Sequence, residues 1–322
     1  MATGDRSPSA DEPSAAAPVT LAHISDPHIA CMEDITALDL ANKRLLGFLR
    51  WRLLRSSEHE HGILAALESD LKLTQPDHIA VTGDLTHLGL SAEYKKARQW
   101  LQKLGSPSQV TVIPGNHDAY VKINWHQTMA HWADYMISDP PRKDGQQTNH
   151  MENIFPSLRI RGCVAIIGVS SARPSAPHLA VGSIGAGQLQ HLETILARTA
   201  QKRLYRVVLI HHPPLPGQAG WRRALRDAHE VQEILRDHGA ELVLHGHNHE
   251  QSVLDCETIS GPAIVVGVPS ASEAVDGRVP AARYNEYAIE RAGNGWHVEM
   301  TGRAATKDGQ VLECEKRVLR SR

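Results

Sequence analysis

Apolar residues in this chain gather in short runs that stop abruptly at a small set of polar side chains. Residues 19–24, 78–82, 109–113, 206–210 and 241–244 are β-branched or leucine-rich runs bounded by Gly and Pro, the pattern of short buried strands. Between them the apolar spacing changes. Residues 63–73 put Leu64, Leu67 and Leu71 on one helical face. Residues 91–104 put Ala97, Leu101 and Leu104 on one stripe, with Ser91 as the expected cap. Residues 186–200 and 221–238 behave in the same way. Strands alternating with helices predict parallel sheet with right-handed crossovers. Residues 159–170 read as a strand pair around Gly162. The last third, at 252–256, 263–268, 284–289 and 295–300, is strand-rich without intervening helices. It predicts a second, more antiparallel sheet packed on the first. Residues 1–18, rich in Ala, Ser, Pro and Asp, read as a disordered leader, and the basic stretch 304–322 as a tail that frays.

A length of 322 residues suits one substantial core. Lys and Arg number 34 against 36 acidic residues, so a net charge of −2 gives no general pull toward nucleic acid. That balance argues against a nuclease. The four cysteines, Cys31, Cys163, Cys256 and Cys314, are far apart and form no C-x-x-C pair, which fits a reduced, cytoplasmic setting. The first residues lack the apolar core of a secretion signal, and no run is long enough to span a bilayer.

The residues just after the strand-like runs carry the chemistry. They form five motifs: Asp26-Pro27-His28, Gly83-Asp84, Gly115-Asn116-His117-Asp118, His211-His212-Pro213-Pro214 and Gly246-His247-Asn248-His249. Ligands in α/β sheets bind beyond the carboxyl ends of the strands, so these motifs can converge despite their separation. Carboxylate, amide and imidazole donors together suit first-row divalent cations, and the lack of cysteine in the motifs argues against a structural zinc knot. Gly83, Gly115 and Gly246 allow close or unusual backbone geometry next to the donors.

In this order the five motifs resemble those of the calcineurin-like metallophosphoesterases, over roughly residues 19–300. The resemblance implies an αββα sandwich of two mixed sheets flanked by helices, with a domain spanning 19–303. It implies one metal held by Asp26, His28, Asp84 and His249, and a second held by Asp84, Asn116, His211 and His247, with Asp84 bridging. It also implies His117 as the acid near the site and Asp118 as the partner that orients it. The cofactors would be two divalent ions, with Mn²⁺, Fe and Zn²⁺ all compatible with the donors. The reaction implied is metal-assisted phosphoester hydrolysis by an activated water. Within the family, the motifs look most like the phosphodiesterase branch that includes class III cyclic-nucleotide phosphodiesterases.

The alternative is a pyrophosphatase similar to UDP-2,3-diacylglucosamine hydrolases, acting on a lipid A precursor at the membrane surface. It is motivated by residues 43–55, KRLLGFLRWRLLR. That stretch reads either as an interfacial or lid helix, giving peripheral membrane contact, or as a core-packing helix whose basic residues reach out to water. The packing reading is preferred. A metal-binding scaffold without catalysis is a third class, opposed by the presence of both His117 and Asp118. His212 reads equally as a packing residue and a substrate contact. Cys31 reads as an inert buried thiol, while His126 and His131 with Trp125 and Trp132 read equally as an overhang of the site and as helix packing.

Overall fold

The computed structural model describes residues 17–32, 35, 36, 39, 40, 43–45, 47–49, 59–122, 124–139, 151–273 and 282–321. Most of the expected leader, residues 1–16, and much of the 43–55 stretch lie outside them.

Two six-stranded mixed sheets form the centre. The first runs β12-β11-β10-β1-β2-β3, with β1 at Val19–Ile24, β2 at His78–Val81, β3 at Val110–Val112, β10 at Arg283–Ala292, β11 at Gly295–Ala305 and β12 at Val311–Ser321. The second runs β4-β5-β6-β7-β9-β8, with β4 at Ser157–Arg161, β5 at Val164–Gly168, β6 at Tyr205–Leu209, β7 at Leu242–His245, β8 at Ser252–Cys256 and β9 at Ala263–Gly267. Four longer helices complete the layers: α1 (His59–Thr74), α2 (Ser91–Leu104), α3 (Ala186–Gln201) and α4 (Ala228–His238).

Alternation within the strands builds the sandwich. In β6, Val207 and Leu209 enter the large core that also holds Leu21, Ile24 and Val81 of the first sheet. Their neighbour Val208 packs instead with Leu192 and Leu196 of α3 and Leu235 of α4. Leu242 and Leu244 against Val243 in β7 divide in the same way. A strand with both faces covered reads as a continuous apolar run, and this is why these strands were visible in the sequence. The αββα architecture is as expected.

Three expectations are corrected. The last third does not form the second sheet by itself: β8 and β9 join β7, while β10 pairs antiparallel with β1 and extends the first sheet. The stretch expected to fray from 304 is paired through residue 321, where β12 runs along β11 from Ala305↔Val311 to His297↔Ser321. The first sheet therefore continues beyond residue 303. The helix expected over 221–238 begins only at Ala228. Asp227 caps a different segment, its carboxylate accepting from the Ile184 and Gly185 amides at 2.9 and 2.8 Å and from the Ser183 hydroxyl at 3.0 Å. A smaller correction concerns Ser91, which is the first residue of α2 and not its cap. The buried Glu93 carboxylate accepts the Leu88 and Leu90 amides at 2.9 and 3.0 Å and closes that end.

His78 at the start of β2 is fully buried, with Nε2 2.7 Å from the Thr111 hydroxyl. Burial, with Arg161 and Arg159 adding to it, lowers its pKa to about 2. Above the unfolded value near 6.5 the imidazole is neutral in both states and costs nothing. As pH falls below that value, only the unfolded chain gains the proton, so stability drops by up to about 1.4 kcal/mol per pH unit. His78→Gln is expected to flatten the stability curve by about one proton between roughly pH 6 and 4.5. Urea midpoints across that window test it, and an unchanged slope would contradict it.

Candidate metal centre

The motifs sit where the strands end. Asp26 follows β1, Asp84 follows β2, Asn116 follows β3, His211 follows β6 and His247 follows β7. Three come from the first sheet and two from the second, so the carboxyl ends of both sheets meet at one rim. Five of the donor residues have left-handed backbone: Asp26, His28, Asp84, His247 and His249, with φ between 42° and 69°. Such φ values are unfavourable for residues with side chains and gather at functional sites. Close approach accounts for two of the glycines. A Cβ on Gly246 would collide with the Ser25 hydroxyl and the Asp26 carboxylate, and one on Gly115 would collide with the Asp84 carboxylate.

All seven sequence-predicted donors come together, in two groups. In the first, Asp26 Oδ1 lies 3.2 Å from His249 Nε2 and 3.7 Å from His28 Nε2, and the two Nε2 atoms are 3.1 Å apart. In the second, His211 Nε2 lies 3.4 Å from Asp84 Oδ2, 3.1 Å from Asn116 Oδ1 and 3.3 Å from His247 Nδ1. Asp84 groups with the second set, and its other oxygen, Oδ1, accepts the His117 amide at 2.7 Å.

The outer nitrogens of three of the four rings explain their orientation. His211 Nδ1 donates to the Thr82 carbonyl at 2.7 Å, and His247 Nε2 to the Arg223 carbonyl at 3.0 Å. His249 Nδ1 lies 3.3 Å from Glu273 Oε2. Each bond fixes a tautomer and turns the remaining nitrogen toward its group, as ligating histidines require. Buried Asp26 Oδ1 meets only the ring nitrogens of His249 and His28. A carboxylate oxygen facing two ring nitrogens that face each other fits a divalent cation.

Electrostatics point the same way. Burial would raise Asp26, but His249 and His211 outweigh it and hold the carboxyl well below the usual range. Burial would lower His211 and His249. Asp84 and Asp26 lift His211 to about 9, and Asp26 and Glu273 lift His249 to about 9. His28 and His247 are driven well below the ordinary value by burial and their imidazole neighbours. Each buried carboxylate is thus held ionised by a neighbouring ring.

The two residues expected in catalytic roles part company. His117 sits at the rim with its ring centroid 4.7 Å from that of His28. Its Nδ1 donates to the His87 carbonyl at 2.5 Å, leaving Nε2 as the ring's other polar atom. Asp118 does not hold that ring. Its buried carboxylate accepts the Leu85, Thr86 and Gly115 amides at 3.2, 2.9 and 2.9 Å. Burial and the nearby Asp84 charge raise it to about 7. The expected orienting role of Asp118 passes to a backbone carbonyl, and Asp118 ties together the turns that carry Asp84 and Asn116.

His87 was not singled out in the sequence, yet its ring nitrogens group with those of His28 and His117. Its place four residues after Gly83 was the available signal. Glu273, Thr82 and Arg223 were also missed. His212 is fully buried, with Nδ1 2.7 Å from the Ser171 hydroxyl and its ring 4.4 Å from that of His247, so it packs behind the donors. Cys31 is buried, and all four cysteines are free. Trp125 and Trp132 belong to the main core.

The family model for calcineurin-like phosphoesterases matches residues 19–251, a span that holds all five motifs. The chain belongs to the calcineurin-like phosphoesterase family. A probable cyclic nucleotide phosphodiesterase of Synechococcus sp. is 28% identical over 58% of this chain and 63% of its own length. This calcineurin-like phosphoesterase therefore spans less than two thirds of that relative. A glycerophosphodiester phosphodiesterase of Enterobacter lignolyticus is 27% identical over 79% of this chain and 80% of its own. Among solved structures, a dimetal phosphatase from Danio rerio superposes with a TM-score of 0.52 at 14% identity, over 92% of this chain and 99% of that one. This is a likeness of fold. Among the described residues, no helix is long and apolar enough to cross a membrane.

Proposed function

We propose that this chain is a binuclear metal-dependent phosphodiesterase, with cyclic nucleotides as the substrate class. The observation that carries the reading is the pair of ring nitrogens held 3.1 Å apart, His28 Nε2 and His249 Nε2, both beside the buried Asp26 Oδ1. Asp26, His28, Asp84 and His249 would hold one cation, and Asp84, Asn116, His211 and His247 the other. Two divalent ions bound there would supply Lewis acidity to activate water and to offset charge on the phosphoryl oxygens. His117, fixed through Nδ1 to the His87 carbonyl, offers Nε2 to the leaving oxygen. Asp118 keeps the turns at Leu85–Thr86 and Gly115 in register, so that Asp84 and Asn116 face one another.

The family match and the phosphodiesterase names of the relatives support a diester as substrate. A glycerophosphodiester is the second reading, favoured by the longer span shared with the Enterobacter relative. The lipid-precursor alternative rests on residues 43–55, of which 46 and 50–55 lie outside the described residues.

The test is hydrolysis of bis-p-nitrophenyl phosphate by Mn²⁺-supplemented protein, followed by a panel of cAMP, a glycerophosphodiester and a nucleotide–sugar lipid. Turnover of cAMP above the others supports the proposal, and absence of any diester turnover sinks it. His117→Asn adds a finer check. With cAMP, whose alkoxide leaving group needs a proton, the loss is expected to reach about 10²-fold or more. With p-nitrophenolate, a leaving group that needs no proton, it should be about tenfold or less. Equal losses would remove His117 from the leaving-group side.

A further inference from the structure

Large apolar side chains face water on the rim of the candidate centre. Leu45 and Leu49, one helical turn apart, are 44% and 45% exposed, and Trp221 is 65% exposed. The cations of the first segment turn inward. Lys43 donates to the Ser175 carbonyl at 3.1 Å and lies 4.2 Å from the Tyr120 ring, while Arg44, almost fully buried, donates to the Leu88 and Gly89 carbonyls. In the described residues this runs against the packing helix preferred from sequence, in which leucines face the core and basic groups reach water, while Leu46, Leu53 and Leu54 lie outside them. The described part of 43–55 presents its leucines outward.

Hydrogen bonds join these pieces into one rim. Lys43 reaches Ser175, the Ser175 hydroxyl donates to the Leu179 carbonyl, and the Ala180 amide donates to the Arg222 carbonyl. Arg223 then donates to the His247 carbonyl. At the other end, Tyr120 lies 5.3 Å from the His117 ring. The rim thus runs from His117 to His247, past both donor groups. Arg222, Arg223 and Arg226 are exposed on it, with the Arg222 guanidinium 5.0 Å from the Trp221 ring. On a chain of net charge −2 these cations are a local concentration.

We propose that this rim docks the chain on an anionic bilayer, with the candidate centre turned toward the lipid headgroups. Leucine and tryptophan enter the boundary between headgroups and acyl chains, and arginines meet the lipid phosphates. Charge complementarity selects the occupant, because a basic rim bearing Leu and Trp matches an acidic interface over an apolar layer. The inference does not depend on which diester is cut, since vesicle binding is read without turnover.

The experiment is co-sedimentation of the full chain with phosphatidylcholine vesicles, with and without phosphatidylglycerol, at low and high salt. Wild type is expected to bind the vesicles containing phosphatidylglycerol, and added salt to weaken that binding. The Leu45→Glu/Leu49→Glu variant and Trp221→Ala should each lower the partition coefficient about tenfold or more. Leu73→Glu/Ile259→Glu is the control. Those side chains are 81% and 79% exposed but lie just before β2 and β9, at the strand ends opposite the centre. That variant should bind as wild type does, and melting curves establish that all variants fold. No binding by wild type, equal binding by the rim variants, or an equal loss in the control would overturn the proposal. So would rim variants that keep vesicle binding but raise KM for a soluble diester, because the rim would then be a substrate subsite.

Discussion

Asp84→Asn is expected to lower diester turnover by about 10³-fold or more while the protein still folds. The side chain keeps its shape, and an amide oxygen can still accept the His117 amide, which Asp84 Oδ1 takes at 2.7 Å. What disappears is a full negative charge, buried and 3.4 Å from His211 Nε2. Asp84 and Asp26 feel each other's charge, and the proposed bridge gives Asp84 a share in both cation sites. Loss of charge at that position should therefore weaken both ions together. Replacing Asn116 by Ala should be milder, because it removes a neutral donor from the second site only. Steady-state kinetics with saturating Mn²⁺, beside melting curves for each variant, make the comparison. Turnover of Asp84→Asn within about tenfold of wild type would remove this carboxylate from the catalytic centre.

Arg159→Met is expected to destabilise the fold by about 3–5 kcal/mol, without touching the candidate centre. Arg159 on β4 is among the largest fully buried side chains. Its guanidinium donates to four carbonyls: Ile137 at 2.9 Å, Val110 at 2.8 Å, Asp134 at 3.0 Å and Pro107. Those carbonyls belong to β3, the turn before it and the helical turns after the third motif, so one side chain fastens the second sheet to the first. Burial lowers its pKa only to about 10, which leaves it charged at neutral pH. Methionine fills much of the volume but donates nothing, and buried carbonyls without donors are costly. Total stabilities of domains are about 5–15 kcal/mol, so the loss should be plain in urea unfolding. A change under about 1 kcal/mol would mean that other donors replace the guanidinium.

The fold was legible where burial leaves a signature. Strands such as β6 and β7 are apolar on both faces, and their runs stood out to within one or two residues of the observed ends. β12 was not legible. Seven of its eleven side chains are exposed and five are charged, so the strand has no apolar signature, although the ladder with β11 and the packing of Val311 and Leu319 on the core hold it in place. Residues 221–227 carried helical spacing, but Arg223 and Asp227 are committed to His247 and to the Ile184–Gly185 turn, which leaves helix formation to begin later.

At the site, the seven donors could be read because each follows a strand at a fixed short distance. Their orienting partners could not. Those of His211, His247 and His117 are the backbone carbonyls of Thr82, Arg223 and His87, and a carbonyl has no sequence signature. Adjacency misled the reading of Asp118, because neighbours in a turn can point their side chains apart. In the 43–55 stretch, the described Leu45 and Leu49 are exposed and Arg44 is buried, since amphipathic spacing does not say which face is buried.

The most direct test of the account is the metal content of wild type and Asp84→Asn after reconstitution with Mn²⁺ and gel filtration. Wild type is expected to retain about two ions per chain and the variant clearly fewer, both remaining folded. A wild-type protein that retains no divalent ion, or a variant that retains as many as wild type, would contradict it.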